Sequence, residues 1–257
     1  MTINNKPNNF RQRLLSNELL IGSFVKTPSM MVCEVLGQTE LDAICLDAEH
    51  APFDRKDIDA CLLALRSSHK TSLVRVASSS PEHILNALDC GATGVVVPHV
   101  DSMEKAQACV KAARYGKGRG YAGSTRAARY GKNSIQENLE ISRNESCVIA
   151  QIEDLGGVDN IEAIAAVDGI DCLFIGMMDL SIAYSAAGPK EPQVIAAAEQ
   201  VCKVAVAANR RLGIFVSNND DIPFWVERGV SLFLLQSDHG FIKKGAAALF
   251  ADANKHF

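Results

Sequence analysis

Ala43-Ile-Cys-Leu-Asp47-Ala-Glu-His50-Ala-Pro-Phe-Asp54-Arg-Lys-Asp-Ile58-Asp-Ala-Cys-Leu62-Leu-Ala-Leu65 decides the fold, together with the Ser72-Leu-Val-Arg75-Val76 that follows it. Residues 43–47 begin as an apolar run without polar alternation, the pattern of a strand covered on both faces. From Asp54 the period changes. An acidic start leads into apolar Ile58, Leu62 and Leu65, spaced by four and three, which puts one stripe on a helix. A second apolar run then opens at Ser72. Strand, helix and strand in this order make one β/α unit.

The same unit recurs on both sides. Short runs rich in Val, Ile, Leu and Phe predict strands at 20–25, 43–47, 72–76, 94–100, 147–152, 172–175, 212–216 and 231–235. Helical periodicity fills 54–65, 81–91, 157–167, 192–208, 220–228 and 240–254, and Asp101 is placed to cap a helix over 102–113. Eight repeats fit a single (β/α)8 TIM barrel, a fold of about 250 residues. An open doubly wound sheet is the alternative, but no glycine-rich dinucleotide fingerprint supports it. No linker interrupts the series. Residues 1–257 therefore read as one domain with a flexible, polar, Asn-rich N-terminal tail over about residues 1–10.

Composition narrows the function classes. With 26 basic and 30 acidic residues the net charge is −4, which argues against a general nucleic-acid or anionic-membrane binder. No apolar run approaches the roughly 20 residues of a membrane span, and the N-terminus has no apolar signal core. The eight cysteines stand singly with no C-x-x-C pair, mostly within apolar stretches. That pattern suits buried free thiols in a reducing, cytoplasmic compartment better than disulfides or a zinc site.

In a (β/α)8 barrel the reactive residues sit just past the C-terminal ends of the strands. Those positions hold Asp47, Glu49 and His50, then Arg75, His99, Gln151 with Glu153 and Asp154, Asp179, Ser217 with Asn218, and Gln236 to His239. Glu153 and Asp179, on neighbouring repeats without Cys or His beside them, are the natural metal pair and favour Mg²⁺ or Mn²⁺. His50 offers a base titrating near working pH, with Asp47 or Glu49 to orient its ring. Arg75 supplies a fixed positive fork for a carboxylate or developing oxyanion. No lysine in an apolar strand-end setting competes as a Schiff-base nucleophile. His99 reads as a rim histidine, and the role of Glu49 stays open. The glycine-rich segment 115–132, with Lys117, Arg119, Arg126, Arg129 and Lys132, reads either as a loop meeting an anionic substrate or as a solvated excursion.

Leu-Asp47-Ala-Glu-His50-Ala-Pro, Val-Arg75-Val, Leu-Asp89-Cys-Gly-Ala-Thr-Gly-Val-Val-Val-Pro98, Gln151-Ile-Glu153 and Phe-Ile-Gly-Met-Met-Asp179-Leu-Ser resemble the HpcH/HpaI aldolase family, in family order from about Gly22 to Asp238. The resemblance implies a metal-dependent class II aldolase that forms or cleaves 4-hydroxy-2-oxo acids through a pyruvate enolate. It implies a homo-oligomer, built from dimers and often a hexamer. Glu153 and Asp179 match the metal carboxylates, His50 with Asp47 the base dyad, Arg75 the enolate-holding arginine and Gln151 a substrate-contacting amide. Two departures touch the substrate region. Gly176-Met177-Met178-Asp179 replaces Gly-Pro-x-Asp, which puts Met178 and Asp179 against the substrate, and Tyr115-Gly-Lys-Gly-Arg119-Gly lacks a Pro-Pro pair. An offshoot similar to siderophore-pathway citrate synthases, joining oxaloacetate to acetyl-CoA, is the alternative activity; a non-catalytic 2-oxo-acid-binding barrel is the second. The partners expected are a small 2-oxo acid (pyruvate or oxaloacetate) and an aldehyde or acetyl-CoA.

Overall fold

The computed structural model describes residues 9–256. Eight parallel strands close into one barrel in sequence order: β1 Leu20–Val25, β2 Ala43–Asp47, β3 Thr71–Arg75, β4 Gly94–Val97, β5 Cys147–Ile152, β6 Cys172–Ile175, β7 Arg211–Val216 and β8 Val230–Ser237. The last pairs with the first, Leu20 opposite Leu232. This is the (β/α)8 barrel that the sequence predicts. Strands β1, β2, β5 and β6 coincide with their expected spans. β4 stops short of the expected residue 100 because Pro98 has no N–H to give the ladder and His99 turns the chain at φ +54°.

Around the barrel run α1 Phe10–Leu15, α2 Met30–Gly37, α3 Arg55–Ser67, α4 Pro81–Asp89, α5 Met103–Ala113, α6 Ile135–Glu145, α7 Leu155–Asp159, α8 Ile161–Ala165, α9 Met177–Ala183, α10 Pro192–Ala207, α11 Ile222–Val226 and α12 Asp238–Ala253. α3 carries a full capping box, Asp54 and Asp57 each accepting the other's backbone N–H. Ser102, not Asp101, caps α5; the Asp101 carboxylate instead accepts from Lys105 at 2.9 Å. The helix expected over 157–167 divides at Asn160 into α7 and α8. Of the expected N-terminal tail, residues 1–8 lie outside the described residues. Phe10 is already folded, fully buried at the start of α1.

Two apolar layers follow from the two-residue period of the strands. Ile44 and Leu46, Val74, Val95 and Val97, and Leu173 and Ile175 face outward into the helices. Ala43 and Cys45, Leu73, Val96, Ile149, Phe174, Leu232 and Leu234 face inward, with Phe10 and Leu14 of α1 packed against them. The inner layer fills the barrel. Continuing that alternation toward the C-terminal end brings Asp47, Arg75 and Gln151 onto the inner face, one inward step beyond Cys45, Leu73 and Ile149. No helix among the described residues is long and apolar enough to cross a membrane.

Candidate active site

Register builds the first part of the site. β2 and β3 pair with Asp47 opposite Arg75, both facing inward, so the two side chains are neighbours before any tertiary packing. Arg75 closes a two-pronged contact: Nε donates to Asp47 Oδ1 at 3.0 Å and Nη2 to Oδ2 at 2.8 Å. The guanidinium also lies over the Phe24 ring at 4.8 Å. Burial opposes the charge on Asp47, yet the Arg75 fork holds its carboxyl below the usual carboxylate range. Lys26, immediately after β1, adds a second cation 3.1 Å from Asp47 Oδ2.

Asp47 meets His50 through the backbone, its Oδ1 accepting the His50 N–H at 3.2 Å. Among the described residues no hydrogen bond or ion pair joins the His50 ring itself to Asp47, whose oxygens receive Arg75, Lys26 and the His50 amide. The acid facing the His50 ring is Glu49, 3.7 Å from Nε2, and the ring itself is half exposed at the mouth. Glu49 Oε2 also stands 3.4 Å from Arg75 Nε. Burial pushes the Glu49 carboxyl up to about 7, with Arg75 working against the shift and Glu153 adding to it.

Glu153 is buried one residue past β5. It accepts from Gln151 Nε2 and from the His99 backbone N–H, the latter at 2.8 Å. Gly176 permits this arrangement, since a Cβ there would lie 2.7 Å from both Glu153 Cβ and Oε2. Burial raises the Glu153 carboxyl; Gln151 and His99 oppose the shift and the Asp179 charge adds to it. Asp179 sits in the first turn of α9, beside exposed Met178. The His99 ring contacts Asp154 at 3.0 Å and Glu49 at 3.5 Å; burial disfavours its charge, but these carboxylates and Glu153 raise its pKa.

The donor set suits a hard cation. Among the described residues, Glu49, His99 and Glu153 bring ligand atoms within 4.8 Å of one another. Glu49 Oε2 and Gln151 Oε1 are buried acceptors with no hydrogen-bond partner. Crowded carboxylates and orphaned oxygens are what a divalent ion would satisfy. The sequence reading picked Glu153 from this group, left Glu49 open and set His99 aside.

A cavity of about 330 Å³ has Lys26, His50, Arg75, Gln151, Asp179 and Ser237 on its walls. The sequence reading missed Lys26, which has the strand-end position and apolar approach it had found in no lysine. The basic segment 115–132 lies at the other end of the barrel within this chain. It walls a recess with Thr71, Thr93 and Ser146, which stand at or just before the starts of β3, β4 and β5. Two of its five basic side chains are paired there, Arg119 with Asp89 and Arg126 with Asp59, each at 2.7 Å.

The HpcH/HpaI aldolase/citrate lyase profile matches residues 20–240, most of the chain. The chain belongs to the HpcH/HpaI family. A 5-keto-4-deoxy-D-glucarate aldolase from Enterobacter sp. (strain 638) is 33% identical over 252 residues, covering 97% of each chain. Among solved structures, an HpcH/HpaI family protein from Burkholderia cenocepacia J2315 superposes with a TM-score of 0.91 at 30% identity, covering 96% of this chain and 99% of that one. The citrate synthase SbnG is also similar, with a TM-score of 0.87 at 27% identity over 97% of this chain and 98% of its own. The aldolase class of carbon–carbon lyase expected from the sequence is met by these HpcH/HpaI relatives.

Proposed function

We propose that this HpcH/HpaI protein is a divalent-metal-dependent aldolase that forms and cleaves 4-hydroxy-2-oxo acids by way of a pyruvate enolate. The observation that carries the reading is that Arg75, held in a buried fork by Asp47, shares one cavity with Gln151 and Asp179, and that Gln151 donates to the buried Glu153. Glu153 and Asp179 would hold Mg²⁺ or Mn²⁺, with Glu49 close by. Such an ion polarises a 2-oxo carbonyl as a Lewis acid and offsets the negative charge that develops on deprotonation.

The chain's own residues account for the rest. Arg75, locked by Asp47, presents its guanidinium to the developing enolate oxygen without reorganising. Gln151, fixed through its amide nitrogen on Glu153, leaves Oε1 for the substrate. His50 at the mouth is placed to move the proton of the acceptor hydroxyl, directly or through one water. Asp47 acts as a positioning residue, through Arg75. The working unit is a homo-oligomer.

The test is proton NMR of pyruvate in D₂O with the purified protein, with and without Mg²⁺ or Mn²⁺. Metal-dependent loss of the methyl signal is expected. A citrate-forming reaction is the second reading, favoured by the likeness to SbnG. No exchange on pyruvate, with citrate appearing from oxaloacetate and acetyl-CoA, would replace the first reading by the second.

A further inference from the structure

The recess at the starts of β3, β4 and β5, at the opposite end of the barrel from the candidate active site, has cationic walls. It encloses about 480 Å³, within the roughly 300–1,000 Å³ of pockets that take small metabolites. Arg66, Lys70, Arg119, Arg126 and Arg129 line it, against one carboxylate, Glu145. Asp89 and Asp59 offset Arg119 and Arg126, and the Lys70 ammonium is held by the Thr39 and Leu41 carbonyl oxygens at 2.6 Å each. Arg66 and Arg129 make no side-chain hydrogen bond or ion pair among the described residues.

Two further observations point to a ligand. The Arg119 side chain is only 2% exposed, yet its Nε is a buried donor without a hydrogen-bond partner, Asp89 accepting from Nη2. An anion's oxygen seated against Arg119 would relieve that cost. The chain is also strained beside the recess. Arg129 and Tyr130 are consecutive non-glycine residues at φ +50° and +55°, held by the Tyr130 N–H donating to the Thr125 carbonyl at 2.9 Å. The class of ligand follows from the walls. Guanidinium forks match phosphate oxygens. The recess is larger than one phosphate group needs, and Ser72, Thr93, Ser142 and Ser146 add hydroxyl groups that suit a polar body. Tyr115, the one Phe, Tyr or Trp on the wall, is already engaged by Arg119 at 4.2 Å and Tyr121 at 5.4 Å, so no aromatic platform is ready for a nucleobase. We propose that this recess binds a sugar phosphate, its phosphate drawn to Arg119 and the unpaired Arg66 and Arg129, at a site separate from the catalytic mouth.

The experiment is titration calorimetry of the purified full-length protein with glucose 6-phosphate, ribose 5-phosphate, glucose and inorganic phosphate. At least one sugar phosphate should bind, inorganic phosphate at least about tenfold more weakly, and glucose without measurable heat. Replacing both Arg66→Ala and Arg129→Ala should weaken the sugar phosphate by about tenfold or more. Both side chains are exposed, so the double variant keeps its core. Asp179→Asn, in the other cavity, should leave the affinity unchanged. Binding of neither sugar phosphate, or equal affinity for inorganic phosphate, would overturn the proposal. So would an unchanged affinity in the double variant. Loss of binding in Asp179→Asn would place the phosphate at the catalytic mouth and overturn it equally.

Discussion

Arg75 and Asp47 depend on one another in a way that separates them from the other acids of the site. The guanidinium loses its aim if either prong is released, and Asp47 left without Arg75 is a buried carboxylate facing Lys26 alone. Arg75→Ala should lower turnover by about two to three powers of ten, the scale for losing an oxyanion donor. Asp47→Asn should reproduce much of that loss while leaving His50 in place. Steady-state kinetics on any active 2-oxo acid decides; an Asp47→Asn enzyme of full kcat would remove the positioning role. The proposed metal ligands divide at the same scale. Glu153→Gln and Asp179→Asn should each weaken Mn²⁺ binding by at least about tenfold, with His99→Gln having a smaller effect. If His99→Gln is the more damaging in a Mn²⁺ titration followed by electron paramagnetic resonance, the ion sits in the Glu49, His99 and Glu153 group instead.

At the scale of elements, the join between β8 and α12 closes the molecule. Ser237 caps α12, and the Asp238 carboxylate accepts the backbone N–H groups of Lys26 at 2.8 Å and Thr27 at 3.0 Å, just past β1. Burial opposes the Asp238 charge, but the Thr27 side chain together with these backbone hydrogen bonds outweighs it and keeps its pKa below the ordinary value. The folded state therefore binds that proton less readily than the unfolded chain. The stability Asp238 contributes is present in full above the unfolded carboxyl pKa and is lost as the pH falls through the lower, folded one. Asp238→Asn should cost about 1–3 kcal/mol at neutral pH, and its urea midpoint should lose less on acidification than the wild type's. Parallel midpoints across the acid range would refute this. The strands were legible because their apolar runs are short and sharply bounded. α2 and α9 were not assigned for different reasons. Met30-Met-Val-Cys-Glu-Val-Leu-Gly is apolar almost all round and shows no stripe, and α9 is only seven residues long.

Across the whole molecule, the two ends of the barrel do different things. The C-terminal mouth gathers the reactive side chains; the N-terminal mouth is plugged by Phe10 and Leu14 and tied by Asp171 to Arg11 and Arg114. Strand-end position singled out Asp47, Arg75, Glu153 and Asp179 from the sequence alone, and the family resemblance added Gln151. Position could not say that Asp47 would turn to Arg75 and not to the His50 ring, since that depends on strand register. Lys26 escaped because a basic residue after Ser-Phe-Val looks like the start of a solvated turn. The outer surface also bears large apolar side chains: Met31 and Val35 on α2, Ile242, Leu249 and Phe250 on α12, each about two-thirds exposed or more. Such faces fit the expected self-association. Sedimentation equilibrium should return a multiple of 27.7 kDa, and a monomer at micromolar concentration would contradict it.

All eight thiols are buried in the folded chain, several of them inside the barrel itself. A maleimide dye should therefore find almost nothing to react with in the native protein, and every labelling event reports an opening. Cys147 and Cys172, sealed within the inner layer, would mark rupture of the strand ring. Cys61 and Cys90, closer to the helical shell, would mark detachment of the helices. Mass spectrometry of a timed labelling series would then give the order in which the layers come apart, with no added probe. Simultaneous labelling of all eight would identify the barrel and its shell as one cooperative unit.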